Sequence, residues 1–477
     1  KGPLYCDTMA TAEIDVGYSF HSMENPGNID MTHHEKEHSD IDVTHHEKEH
    51  DMNKADSSSF NPWEFAAKYS KCKMEEIRKT SQLLHRRDET PEDEKDYMAL
   101  FQFKEIALGR LLGKGEFSNV YEIKSFLPQL IVEEDDIEAL LSQQEHARMF
   151  LAKHAQREKK GGSRYAIKFL RPDVKTVYTA AHDLALEAHF LSSLQHPNII
   201  KIRGWAAGGT DGFTTGGNQG YFLVLDCLNE TLGTRIGKWA KEDKRCQKNL
   251  LKNLSLKVSS SRQEMFGKRL KVAYDIADAL TYLHKKNVIY RDLKPANLGF
   301  DIRGDIKLFD FGLAKEFSSN IDMNESTFQM SGAGTLRYMA PEVVLGSPYN
   351  LKADVFSFTL LLYEILSLKK PYDGFTLKRL MNDVILGRDR PKLKPRWTKP
   401  LKDIIEMGWD NDISERPTME VLQNVLRYQW GDMTSTEEVK ETARRRRSFG
   451  SIGTVGTSFR RRERLSNFSI RTNDSYT

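Results

Sequence analysis

Apolar and polar positions change rhythm several times along this chain. Over 63–86 (WEFAAKYSKCKMEEIRKTSQLLHR), Trp63, Ala66, Tyr69, Ile77 and Leu84 fall at roughly helical spacing, which predicts a helix. Thr90-Pro91 and the acidic run after it break the pattern. Such a helix either docks on the neighbouring domain or stands free. From about Phe101, short β-like runs come first, at 103–113, 120–124, 165–170, 199–205 and 221–228. Longer helical patterns come after them at 268–286, 357–368 and 400–410. Strands followed by helices predict an α+β domain over 101–430, with a small β-rich lobe, a larger α-rich lobe and a cleft between them.

Three stretches interrupt this domain. Residues 125–163 carry the acidic run Glu133–Asp136 and a helical run at 145–160. Residues 206–220 (AAGGTDGFTTGGNQG) read as a mobile Gly/Thr loop that cannot hold a strand. Residues 238–264 are basic and Ser-rich. Residues 1–100 read as polar and largely disordered apart from the helix, and 431–477 as a disordered Arg/Ser-rich tail. THHEKEH occurs at 32–38 and again at 44–50. His34 and His38, four apart, could share a helix face and hold zinc or nickel weakly. The other reading is a duplicated, solvated low-complexity segment, since two copies are too few for a solenoid.

Composition narrows the function classes. Of 477 residues, 39% are hydrophobic and 29% charged, which fits a chain of which part does not pack. Lys and Arg total 71 against 68 Asp and Glu, a net of +3, so a strongly basic nucleic-acid binder is excluded as the default. Four cysteines (Cys6, Cys72, Cys227, Cys246) exclude a disulfide scaffold and match no zinc spacing. They predict a reducing compartment, the cytoplasm, with the nucleus allowed if the tail's arginine clusters act as an import signal. No run of 18 apolar residues predicts a membrane span, and the first residues lack the apolar core of a signal peptide. The chain begins with Lys1 rather than Met, as a fragment would.

Three groups of residues carry candidate chemistry. Gly113-Lys114-Gly115 lies between two β-like runs, so it reads as a hairpin flap whose backbone can approach a phosphate closely. Lys168 sits in the apolar strand YAIKFL and needs a partner; Glu187, 19 residues on in a helical pattern, supplies one. Tyr290-Arg291-Asp292-Leu293-Lys294-Pro295-Ala296-Asn297 precedes Phe309-Asp310-Phe311-Gly312. Carboxylates, an amide and a lysine on short loops suit a magnesium–phosphate site, because magnesium takes hard oxygen ligands and completes its shell with substrate phosphates.

Together with Ala340-Pro341-Glu342, Asp354 and Arg416, this ordered set resembles the eukaryotic protein kinases over about 103–430. The resemblance implies ATP and Mg2+ as cofactors and protein substrates as partners. It implies that Gly113, Lys114, Gly115, Val120 and Ala166 line the nucleotide site. Leu225 would be the gatekeeper, with Asp226–Leu228 as the adenine hinge. Lys168, positioned by Glu187, would hold phosphates. Asp292 would accept or orient the substrate hydroxyl proton, Lys294 would stabilise the transferred group, and Asn297 and Asp310 would hold the metal. Glu342 and Arg416 would form a structural ion pair, Asp354 would brace the catalytic loop, and a spine would run through Leu191, Tyr290 and Phe311. Lys294 and Thr335 resemble the serine/threonine type, and parts of the large lobe lean towards its tyrosine-kinase-like group.

The chain departs from the family pattern at Ser118, where a third glycine is usual, and at Tyr290, where histidine is usual. Leu298-Gly299-Phe300 replaces the usual hydrophobic run. The resemblance implies that Arg291 meets an activation-loop phosphate, with Ser326, Thr327 or Ser331 as the switch and an upstream kinase as partner. Ser318 and Ser319 are further hydroxyls there. Ser448 and Ser466, beside arginine clusters, read as sites for a basophilic kinase, as parts of an import patch, or as a solvated tail. The alternative to an active kinase is a catalytically weak nucleotide-binding scaffold. The intact Lys168, Asp292 and Asp310 argue for the first.

Overall fold

The computed structural model describes residues 61–83, 98–128, 138–156, 162–252, 256–317 and 325–431. The His-rich repeat, Glu133–Asp136, Ser318, Ser319 and the tail's arginine clusters lie outside them.

Six strands form one sheet, in the order β1-β5-β6-β4-β3-β2. They are β1 (Ala99–Phe101), β2 (Ile106–Lys114), β3 (Ser118–Phe126), β4 (Tyr165–Leu170), β5 (Ile202–Ala206) and β6 (Phe222–Asp226). Only β1 runs parallel to its neighbour, β5. The sheet starts at Ala99, two residues before the expected domain boundary. The β2–β3 hairpin closes through Gly115 N–H to the Ser118 carbonyl at 2.8 Å. Its register puts Gly113 opposite Val120, and the next pairing puts Val120 opposite Lys168. Ala166 in turn faces Leu225. The flap, the lysine strand and the hinge strand are thus aligned across one surface, while Ile123, Ile167, Leu223 and Val224 are fully buried.

One face of this sheet is covered by α3 (Val177–Ser193), after α1 (Pro62–Thr80) and α2 (Glu138–Lys153) in chain order. The predicted helix over 63–86 is α1, and it docks. Asn61 caps it by accepting from Trp63 N–H at 3.0 Å, Pro62 opens it and Arg78 and Lys79 suit its C-terminal end. It ends at Thr80, six residues earlier than the periodicity suggested; residues 84–90 are outside the described ones. Helix α2 starts seven residues before the predicted 145–160 run and ends at Lys153. Its Arg148 pairs with buried Glu105 at 2.5 Å, which fastens the 125–163 stretch to the sheet.

The 206–220 stretch is a correction. Instead of a mobile loop it forms three short helical turns, over 209–211, 212–216 and 217–219. Phe213 is completely buried. A Cβ on Gly212 would lie 2.1 Å from the Gly220 carbonyl oxygen, and one on Gly220 would lie 1.8 Å from that of Gly212. The glycines serve close backbone approach, and a flexible linker has the same composition.

The larger lobe holds β7 (Glu230–Thr231), α4 (Leu232–Lys252), α5 (Leu256–Lys285), β8 (Val288–Ile289), β9 (Leu298–Phe300), β10 (Ile306–Leu308), β11 (Lys315–Glu316), α6 (Pro341–Val344), α7 (Lys352–Ser367) and α8 (Lys399–Gly408), with a last helix over 419–430. Residues 238–264 read only as basic and Ser-rich in sequence. They carry the end of α4 and the first turns of α5, so the described part of this stretch is helical, and 253–255 lie outside the described residues. Every residue of α7 is buried, and its polar residues, among them Lys352, Asp354, Ser357, Thr359 and Glu364, are hydrogen-bonded inside the lobe. No helix among the described residues is long and apolar enough to cross a membrane.

Candidate active site

The loop 290–297 leaves β8 at Tyr290, and Asp354 at the start of α7 sets its path. Asp354 accepts from Tyr290 N–H at 2.8 Å and Arg291 N–H at 2.9 Å, and its Oδ2 lies 3.0 Å from His284 Nε2. Arg291 takes a positive φ of 71° at this bend. Asp292 is then held from both sides. Its Oδ1 accepts from Thr335 Oγ1 at 2.8 Å and its Oδ2 from Asn297 Nδ2 at 2.8 Å. Lys294 Nζ lies 3.0 Å from Oδ2 and donates to Thr335 Oγ1 at 2.8 Å. Burial pushes the Asp292 carboxyl above its ordinary range, and the charge of Asp310 adds to this, while Lys294 and Thr335 pull back.

A second cluster spans the cleft. Lys168 donates to Glu187 on α3 at 2.6 Å and to Asp310 at 2.8 Å. Burial alone would lower the Lys168 ammonium, but the two carboxylates reverse this and hold it above its usual range. Asp310 sits at φ 67°; burial works against its charge, and Lys168 outweighs that and holds its carboxyl low. Burial pushes Glu187 up against the pull of the same ammonium. One turn before Glu187, Asp183 packs its Cβ and carbonyl on Gly312, and burial with the nearby Asp310 pushes its carboxyl up to about 7.

On the same helix, His189 is buried, and its Nε2 has no hydrogen-bond partner among the described residues. Burial, with Arg78 of α1 nearby, pushes its pKa from 6.5 down to about 4. The ring is neutral in the fold and takes up a proton on unfolding between those values, so its stabilising share is complete above pH 6.5 and lost as pH falls towards 4. His189→Leu is therefore expected to flatten the fall in stability between pH 6.5 and 4.5, read as urea midpoints at each pH. Parallel curves for both proteins would contradict this.

The nucleotide side is less uniform. An added Cβ on Gly113 would meet nothing within 4 Å, so the flap leaves room above it. Lys114 is exposed at the hairpin's end. Arg171, at the far end of β4, was not expected to matter, yet it pins the flap tip. Its Nη1 donates to the carbonyls of Gly115 at 3.2 Å and Glu116 at 3.1 Å, and its N–H to that of Phe117 at 2.8 Å. The Asp226 carboxylate is committed to Arg203 at 2.7 and 2.9 Å. Gly299 explains the odd hydrophobic run. A Cβ there would lie 2.6 Å from Leu228 Cδ1 and 3.3 Å from Phe309 Cε1, so these two side chains fill the volume that a larger residue at 299 would take.

Tyr290 fits where histidine was expected. Its ring packs edge-on against Phe311 at 5.2 Å and its hydroxyl donates to the Phe309 carbonyl at 2.5 Å. Phe190 meets Phe311 on the other side at 6.2 Å, beside the buried Leu191. Arg291 reaches the stretch after Asp310 by donating to the Leu313 carbonyl at 2.5 Å. Thr327 and Ser331 are exposed and Ser326 half-buried.

The donor set suits a hard cation. Asn297 spends its amide N–H on Asp292, which turns the amide oxygen the other way, and Asp310 gives only Oδ1 to Lys168. Among the described residues no three His, Cys, Asp or Glu side chains cluster as a self-sufficient metal site.

Comparison with known proteins agrees. The family profile described as Protein kinase domain matches residues 149–430, more than half of the chain. Serine/threonine-protein kinase STY17 of Arabidopsis thaliana is 38% identical over 163 residues, 33% of this chain and 27% of that protein. Serine/threonine-protein kinase STY46 of the same plant is 40% identical over 148 residues, 31% and 24% respectively. Dual specificity protein kinase shkD of Dictyostelium discoideum is 27% identical over 293 residues, 61% and 34%. The chain thus spans about a quarter of the length of the first two relatives. The hairpin carrying Gly113 and Gly115 precedes the matched stretch but shares a sheet with it. The two-lobed fold and the matched profile lead to one conclusion: this chain belongs to the protein kinase domain family.

Proposed function

We propose that the chain is a protein serine/threonine kinase that transfers the γ-phosphoryl group of ATP to serine or threonine hydroxyls, with Mg2+ as the metal. The observation that carries this is the pair of clusters in which Asp292 is held by Thr335, Asn297 and Lys294 while Lys168 is held by Glu187 and Asp310. Phosphoryl transfer asks mainly for positioning and charge neutralisation. Asp310 and Asn297 would hold the metal, which supplies positive charge to the phosphates. Lys168 would pair with the phosphates under the flap. Asp292 accepts the proton of the substrate hydroxyl as its oxygen bonds to phosphorus and the bond to the ADP oxygen breaks. Lys294 lies beside the carboxylate to offset charge on the moving group. The Lys294–Thr335 bond supports the serine/threonine assignment, as do the printed names of the relatives.

The test is transfer from γ-labelled ATP to a mixture of generic protein substrates by the full chain, with and without Mg2+, followed by phosphoamino-acid analysis. Label on serine and threonine that depends on Mg2+ is expected. Nucleotide binding without transfer would favour the scaffold reading instead.

A further inference from the structure

The segment 61–83 lies outside the stretch matched by the family profile, yet it touches both α3, which carries Glu187, and β11, which follows Asp310. Helix α1 buries Ala66, Ala67, Ser70 and Met74. Its Phe65 and Tyr69 set their rings edge-on against Tyr178 of α3 at 5.6 and 5.3 Å, and Tyr69 also meets His182 at 5.9 Å. Tyr178 and His182 stand nine and five residues before Glu187 on the same helix. On its other side α1 is held by Trp63, stacked on buried Phe213 at 6.0 Å, and by Lys71, paired with Asp211 at 2.9 Å.

The end of α1 meets the activation segment. Ser81 Oγ donates to Glu316 Oε2 at 2.7 Å, and the N–H groups of Gln82 and Leu83 donate to Oε1 at 2.9 and 3.1 Å. Ser81 and Leu83 are buried there. Glu316 lies on β11, six residues after Asp310, and β11 pairs with β8, which leads into Tyr290-Arg291-Asp292. One carboxylate therefore joins an N-terminal helix packed on α3 to the strand that anchors both the Asp310 loop and the catalytic loop.

We propose that Glu316 is a positioning residue: by holding residues 81–83 it makes α1 a strap that keeps α3, and with it Glu187, in register with Lys168 and Asp310. The proposal rests on the kinase reading for its effect on rate, but not for its effect on α3. A charge-assisted cluster of three bonds is worth enough to matter to that register.

The experiment compares the full chain with Glu316→Ala, Glu316→Gln and Ser81→Ala, well below their unfolding temperatures. It measures kcat, KM for the protein substrate and hydrogen exchange of the amides in 177–193. Glu316→Ala is expected to lower kcat about tenfold or more with KM little changed, and to speed exchange in α3. Glu316→Gln keeps an acceptor and should restore most of the rate. Ser81→Ala removes one of three bonds and should lower kcat about two- to fivefold, which decides the matter if Glu316→Ala does not fold. Wild-type kcat and wild-type exchange in α3 for the variants would overturn the proposal. If the unaltered chain transfers no phosphate, the kinase reading fails and exchange alone judges the strap: faster exchange in α3 supports it, unchanged exchange refutes it.

Discussion

Asp292→Asn is expected to lower kcat by about 10²- to 10⁴-fold, the range that a positioned general base contributes. The replacement is nearly isosteric, so Thr335 and Asn297 keep a neighbour of the same shape at 2.8 Å each. What disappears is the capacity to accept a proton and the negative charge that Lys294 faces at 3.0 Å. Stability should hold or rise slightly, because burial already works against the charged carboxylate. KM for ATP should change little, since Lys168 and Asp310 pair with each other at 2.8 Å in a separate cluster. The measurement is steady-state transfer at saturating ATP together with a thermal melt. A variant that is folded, binds ATP and still turns over within tenfold of the parent would remove Asp292 from the role of base.

Arg416→Ala is expected to cost about 3–5 kcal/mol of stability, the range for stripping one partner from a buried ion pair. The Arg416 side chain is wholly inaccessible to solvent. It meets both oxygens of Glu342 at 2.7 and 2.8 Å, the Asp410 carbonyl at 2.7 Å and the Lys352 carbonyl at 3.2 Å. Its guanidinium also lies 5.0 Å from the Phe356 ring. Alanine would leave the Glu342 carboxylate buried without its partner and two carbonyls without theirs. Lysine would not repair this, because an ammonium cannot fork across two oxygens. The double variant Arg416→Met/Glu342→Gln should recover part of the loss, since no unpaired charge is then buried. Denaturant midpoints measure all three. A loss under about 1 kcal/mol for Arg416→Ala would show that the pair contributes little.

Much of the site was legible because its members are close in sequence or carried by strong local patterns. Asp292, Lys294 and Asn297 fall within six residues, and a loop that short brings them together whatever surrounds it. Lys168 in an apolar strand called for a counter-charge, and the helical pattern around Glu187 offered one. Thr335 and Asp354 came from the resemblance, and the structure hydrogen-bonds both to the loop that carries Asp292. Arg171 gave no such sign. An arginine at the end of a strand looks like any solvated charge until the flap folds back over it.

The chain's residue pattern alone determined the two-lobed α+β class, the flap, the lysine strand and the carboxylate loops, because strand alternation, helical period and short-range spacing are local properties. Tertiary structure alone decided the rest. Glycine-rich composition is the same for a mobile linker and for backbones in contact, so only packing showed that Gly212 and Gly220 touch and that Phe213 is buried. The fate of α1 was open for the same reason: an amphipathic helix needs an apolar partner, and its period does not say which one. Ser81 and Glu316 are 235 residues apart, and their hydrogen bond exists only because α1 packs on α3 and β11 pairs with β8. Contacts at that separation arise from the burial of whole surfaces, which no local pattern encodes.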